Sequence, residues 1–152
     1  MAEHIENKVH VRAPLETLWK LANSPENDRR HAPDGHRLVS QDEARHSLVL
    51  QVKTPPDRDG RSWSYFVERI MDPAHHTVYA RRWGNPNFRY AHLLWVYREE
   101  ADGSSIRCIQ DFEMTPESTV DGPTMAGIIQ QGTEKALQAT VQFVEEQVAL
   151  AG

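Results

Sequence analysis

Residues 37–114 of this chain fall almost entirely into segments with an apolar period of two, separated by turn signals. Beyond Pro123 the period changes to about 3.6. That switch constrains the fold more than any other feature. Short strands joined by tight turns form an antiparallel meander, and one amphipathic helix after them has a sheet face to bury against. The pattern predicts strands over 37–40, 47–53, 61–70, 77–83, 89–99 and 105–114. Turns are expected at residues 55–60, at Asp72-Pro73, at residues 84–87 and at Asp102-Gly103. Ahead of the meander, Ile5, Asn7, Val9 and Val11 alternate with polar neighbours as a first strand. Pro14 suits the first turn of a helix, and Leu15, Leu18, Trp19 and Ala22 recur at helical spacing behind it. Residues 24–35, with Pro25, Asn27 and Pro33, read as a loop or a broken second helix. Met125, Ile128, Ile129, Ala136, Thr140, Val144 and Val148 share one face of a helix that runs almost to the C-terminus.

No repeat or long linker divides the chain, so residues 1–152 read as one domain, long enough to bury a core. With 39% apolar and 26% charged residues it belongs with globular rather than disordered or membrane chains. Its apolar runs are too short for a membrane span, and Met1-Ala2-Glu3-His4 lacks the character of a secretory signal. No membrane partner and a cytoplasmic location are therefore expected. Cys108 is the single cysteine, which excludes an internal disulfide and a Cys-rich metal site. The eight histidines show no metal-binding helical spacing, so no metal is expected. The net charge of −5 comes without a Lys/Arg block, which argues against a nucleic-acid partner.

Strand alternation sorts the side chains into faces. Trp63, Tyr65, Val67 and Arg69 share one face; so do Val78, Ala80 and Arg82, then Ala91, Leu93, Trp95 and Tyr97, then Ile106, Cys108, Gln110 and Phe112. These sets read as inward because their opposites, among them Glu68, Arg81, His92, Arg107 and Asp111, are mostly polar. Gly132, Thr133 and Ala136 read as small residues on the inward face of the long helix, which leaves room for an interior pocket. The informative residues are the polar ones facing inward: Arg69, Arg82, Gln110 and the phenol of Tyr65. A buried guanidinium needs a partner. Either Arg69 or Arg82 meets a carboxylate such as Glu113 or reaches solvent at a strand end, or both await the carbonyl or enolate oxygens of a ligand, which a planar donor fork suits.

At these residues the chain resembles the bacterial aromatic polyketide aromatase/cyclases of tetracenomycin and spore-pigment type. The likeness runs over nearly the whole length. It is carried by Asn7 with Val9 to Pro14, Lys53-Thr54 with Pro56-Asp57, Gly60-Arg61-x-Trp63, Arg69, and Thr77-Val78 with Ala80 and Arg82. It continues through Phe88-x-Tyr90, Trp95-x-Tyr97-Arg98, Gln110-x-Phe112-x-Met114-x-Pro116, and Asp121 with Met125. The resemblance implies an α+β helix-grip fold (START/Bet v 1-like), in which a curved antiparallel sheet wraps around a long C-terminal helix with an interior pocket. It implies no cofactor, and a poly-β-ketone substrate carried on the acyl carrier protein of a type II polyketide synthase. The implied reaction is regiospecific aldol cyclisation followed by dehydration. A monomer or weak homodimer is expected.

Such a cavity suits the chemistry. Holding one folded conformer sets a chosen methylene against a chosen ketone, and a cationic donor stabilises the oxyanion that develops. The resemblance makes Arg69 central, and Arg69 is the expected oxyanion stabiliser. Its pKa is too high for proton shuttling, so Tyr65, a water held by Gln110, or a histidine must move the proton. Trp63, Val67, Arg82, Phe88, Ala91, Leu93, Trp95, Cys108, Phe112 and Ile128 are the expected substrate-binding residues. Arg29, Arg30, Arg81 and Arg89 are candidates for a basic rim that meets an acidic carrier protein.

The departures from the family are specific. Its Trp-Pro pair and tyrosine are absent from residues 28–36, where Gly35 falls in the tyrosine's place. Val67, Ala91 and Cys108 replace more polar or bulkier residues, which makes a wider pocket with one hydroxyl fewer. His31 or His36 is the candidate replacement, since imidazole titrates near neutrality. Two alternatives stand beside the enzyme: a non-catalytic carrier of a hydrophobic aromatic molecule, and a protein-interaction module with a filled core.

Overall fold

In the computed structural model, residues 2–27, 36–53, 60 and 62–151 are described. Strand β1 (Ala2–Val11) leads into helix α1 (Leu15–Ala22). Strands β2 (His36–Asp42), β3 (Ser47–Lys53), β4 (Ser64–Asp72), β5 (Thr77–Trp83), β6 (Phe88–Glu100) and β7 (Gly103–Met114) follow, and helix α2 (Gly122–Ala151) closes the order. The strands form one antiparallel sheet in the order β1-β7-β6-β5-β4-β3-β2. Every neighbour except the β1–β7 pair is consecutive in the chain, as a meander requires.

The period-two segments set these strands, and β3 and β5 have the expected bounds. The third meander strand starts later than residue 61, at Ser64, and the last begins at Gly103 rather than 105. The expected turn at residues 55–60, Gly60 excepted, and residues 28–35 of the segment 24–35 lie outside the described residues, although residues 25–27 are helical. Antiparallel alternation gathers the end of β3, the start of β4, the β5–β6 turn, the end of β7 and the start of α2 at one end of the sheet. Helix α1 and the β6–β7 turn lie at the other.

Helix α2 runs along β1, with lesser contact to β7 and α1. Its buried stripe is Leu137, Thr140, Phe143 and Val144, which pack with Val9, Val11, Leu18, Val78, Tyr97 and Ile106. Trp19 joins this core edge-on to Tyr97, with ring centroids 5.2 Å apart. A second cluster, Leu50, Val52, Val67, Ala80 and Leu93, includes no residue of either helix; Leu48, Tyr65 and Trp95 pack against it. The sheet therefore carries two apolar layers. One is gripped by the helices, and the other forms a floor beside them.

Two expectations about α2 are corrected here. Gly132 is exposed and a Cβ built on it meets nothing within 4 Å, so it does not face the floor. Ile128 is 55% exposed. It lies five residues before the inward-facing Thr133, which turns it to the opposite side of a helix with 3.6 residues per turn. The early part of α2 is weakly amphipathic, and the apolar pattern alone misjudged which side would be covered.

Candidate active site

The sheet register arranges the inward side chains in rows. Leu48, Arg69, Ala80, Leu93, Gln110 and Ile5 are cross-strand partners in succession from β3 to β1. The next row toward the end where β3 finishes and β4 starts holds Leu50, Val67, Arg82, Ala91 and Phe112. The row on the other side holds Met71, Val78, Trp95, Cys108 and Asn7. Alternation in the sequence thus gave the correct face for β4, β5, β6 and β7. Ala80 and Leu93, at 0% and 3% exposure, form the apolar ground between Arg69 and Gln110. Three strand spacings separate those two residues, roughly 14 Å at about 4.8 Å each.

Arg82 carries the clearest signal of an unfilled role. Its Nε is buried and has no hydrogen-bond partner, while its guanidinium lies over the Tyr65 ring at 5.5 Å. Tyr65 therefore packs with Arg82 on the floor. Glu113, the carboxylate considered for these arginines, lies one residue beyond inward-facing Phe112 and is held by Arg89 at 3.1 Å. His36 pairs with Val52, which pairs with Tyr65, so the register aligns His36 with Tyr65 although its own position is exposed. Trp95 touches both apolar layers, and Phe88 packs edge-on against Phe112 with centroids 5.8 Å apart. Trp63 is half-buried just before β4. His31, Arg29 and Arg30 lie outside the described residues.

The basic rim is weaker than expected. Arg81 lies on the outer face, bonded to Glu68 at 2.8 Å and stacked over Trp83 at 4.7 Å, and Arg89 is the partner of Glu113. Period two puts Arg81 opposite Arg82, which accounts for its distance from the floor.

Cys108 is 1% exposed. Burial pushes its thiol up to about 12, partly offset by the charge of Arg82 and a hydrogen bond from Gln110. A thiol so raised is not a nucleophile at neutral pH. Two polar residues lie under the helix: Gln110, which was expected in the site, and Asn7, which was not. Asn7 donates through Nδ2 to the Gln130 carbonyl at 3.4 Å, and its buried Oδ1 has no partner. Gln110 donates through Nε2 to the Thr133 hydroxyl at 2.6 Å. The usable sequence signal for Asn7 was a polar residue at an apolar position of a period-two strand.

Among the described residues no helix is long and apolar enough to cross a membrane, and no group of three His, Cys, Asp or Glu side chains could hold a metal ion. An open surface concavity of about 680 Å³ lies between Arg12–Pro14 and Glu99–Gly103, at the opposite end from Arg82, and none of the inward polar residues lines it.

No family model matches the sequence. A Streptomyces cyaneus protein named as a polyketide cyclase is 28% identical over 146 residues, covering 96% of this chain and 96% of its own. A Streptomyces halstedii protein of the same name is 31% identical over 109 residues, covering 72% of this chain and 100% of its own. Among solved structures, the Zhui aromatase/cyclase from Streptomyces sp. R1128 aligns with a TM-score of 0.81 at 18% identity, over 100% of this chain and 99% of that one. Ara h 8.0201 aligns with a TM-score of 0.73 at 13% identity, over 96% and 99%. At such identities the structural matches speak for the fold alone, and that fold is the Bet v 1-like helix grip.

Proposed function

The chain belongs to the polyketide cyclase family, and from that premise we propose that it closes a ring of a poly-β-ketone by aldol addition and aromatises it by loss of water. The observation that carries this reading is the floor between Arg69 and Gln110. It is a buried apolar surface whose cluster includes no residue of either helix, with Arg82 beside it holding a buried, unpartnered Nε.

The chemistry follows from that arrangement. Apolar ground with cationic donors on one side favours a folded ketide chain whose carbonyls point at the arginines. Removal of a methylene proton gives an enolate, whose carbon attacks a ketone several atoms away. The ketone oxygen becomes an alkoxide as the new C–C bond forms. Arg69 and Arg82 stabilise that oxygen, because fixed cations on a low-dielectric surface are worth far more than in water. The alkoxide takes up a proton, the resulting hydroxyl leaves as water with a second methylene proton to form a C=C bond, and enolisation of the ring ketones completes the aromatic ring. Tyr65, stacked with Arg82, and His36, in register with it, are the candidate proton carriers. Cys108 takes no part, since its thiol stays protonated. The wider floor left by Val67 and Ala91 accommodates a bulky folded chain.

The acyl chain is carried in this reading by the acyl carrier protein of a type II synthase. The test is to supply Arg69→Ala, Arg69→Lys and Arg82→Ala variants to a reconstituted minimal synthase. Loss of one oxyanion donor is expected to lower formation of the directed ring about 10²–10³-fold. Lysine should restore little, because it lacks the planar fork. Wild-type product ratios with Arg69→Ala would overturn the proposal.

A further inference from the structure

Gln110 links the floor to the long helix. The residue is 5% exposed, and its Nε2 lies 2.6 Å from the Thr133 hydroxyl on the inward side of α2. Cys108 lies two residues back on the same face. A carboxamide offers two N–H donors on one side and an acceptor on the other, and a free one can turn to serve either a ketone or an enol. Here the nitrogen is engaged by the helix, while Oε1 accepts no bond from another described residue.

We propose that Thr133 is a positioning residue: by holding the nitrogen of Gln110 it presents Oε1 to the interior as a fixed hydrogen-bond acceptor, so that this side of the floor selects an enol or phenol O–H over a ketone or an alkylated oxygen. The proposal rests on the cyclase reading and names the tautomer and substitution that the site takes. It makes the floor bipolar. Donors stand at the Arg69 side for oxygens that gain negative charge, and an acceptor stands roughly 14 Å away across three strand spacings for an oxygen that carries a proton. A poly-β-ketone bound across this floor is fixed in one direction, because reversing it sets an O–H against a guanidinium and a bare carbonyl against Oε1. Unpaired polar groups of that kind discriminate strongly between ligands of the same shape.

The test uses the full chain with 2-naphthol and 2-methoxynaphthalene, which differ in whether the ring oxygen bears a hydrogen. Affinities are measured by calorimetry for the wild type, Thr133→Val and Thr133→Ser. The wild type is expected to prefer the phenol about tenfold, the worth of one partly buried hydrogen bond. Thr133→Ser should keep that preference. Thr133→Val, of similar shape, should bring the two ligands to within about twofold by weakening the phenol and leaving the ether unchanged. A purely structural role for Thr133 would weaken both ligands together, and that result overturns the proposal. So does a wild type that prefers neither ligand or binds neither, and so does a valine variant that still prefers the phenol. These are equilibrium measurements without turnover, so an intact preference in a chain that leaves polyketide products unchanged counts against the cyclase reading alone.

Discussion

Replacing Gly103 with alanine tests how the sheet is closed at the end where α1 and the β6–β7 turn lie. Gly103 begins β7 with φ +150°, and a Cβ built on it would lie 2.3 Å from the carbonyl oxygen of Val11 and 3.3 Å from its carbon. Those are backbone atoms held from both sides. Val11 is fully buried and pairs with Ser104, whose hydroxyl donates to the Ala13 carbonyl at 2.7 Å. Alanine must therefore stay strained, at about 1–3 kcal/mol, or push the end of β1 away. The latter loses the local hydrogen bonds to Ser104 and Ala13 at about 1 kcal/mol each. The expected loss is about 2–4 kcal/mol, which for a chain of this size lowers Tm by roughly 5–15 °C. Urea denaturation should show a lower midpoint at unchanged slope. Gly132→Ala is the control, since its Cβ meets nothing within 4 Å on an exposed part of α2. Helix propensity alone should make it more stable, by about 0.5–1 kcal/mol. A Gly103→Ala loss below about 0.5 kcal/mol would refute the reasoning, because that is the range of an uninvolved surface position.

Other expectations are simpler. Phe143→Ala should cost about 3–5 kcal/mol, because the ring is 1% exposed in the core under α2; equilibrium denaturation measures it. The Cys108 thiol, at about 12 when folded and 9.0 when free, keeps its proton in the native state over a range where the unfolded chain releases it. Stability should therefore fall as pH rises from 9 toward 12, and Cys108→Ala should remove part of that fall. At neutral pH the native thiol should resist a thiol reagent that labels the unfolded chain at once. His4 lies 2.7 Å from Asp111 and 3.1 Å from Glu6, and those hydrogen bonds raise its pKa above the usual 6.5. A raised folded value means its contribution is fully present below pH 6.5 and disappears as pH rises through the folded pKa. An NMR titration should give a midpoint above 6.5 that falls in Asp111→Asn.

Much of this fold was legible because period two is a strong constraint. One slip of register would turn Ala80, Leu93 and Phe112 to solvent and Glu68, Arg81 and Asp111 inward. The inward set, with Arg69, Arg82, Gln110 and Tyr65 as its polar members, followed from that pattern alone. Helix α2 was harder. Its apolar residues spread around the cylinder, and only contact with β1 decides that Thr133 and Leu137 face inward while Ile128 and Gly132 do not. Partners were harder still. The engagement of Gln110 by Thr133 joins residues on different elements, and nothing local in either segment announces it. The outward turn of Arg81, by contrast, was readable from its neighbour Arg82, and only proximity to the sheet end suggested a rim.

The most direct measurement is the product distribution of a minimal polyketide synthase assayed with and without this chain, resolved by mass spectrometry and NMR. A directed cyclase should convert the mixture of spontaneously cyclised products into one predominant aromatic ring pattern. An unchanged mixture in the presence of folded chain that binds the polyketide would contradict the cyclase function and leave a binding protein in its place.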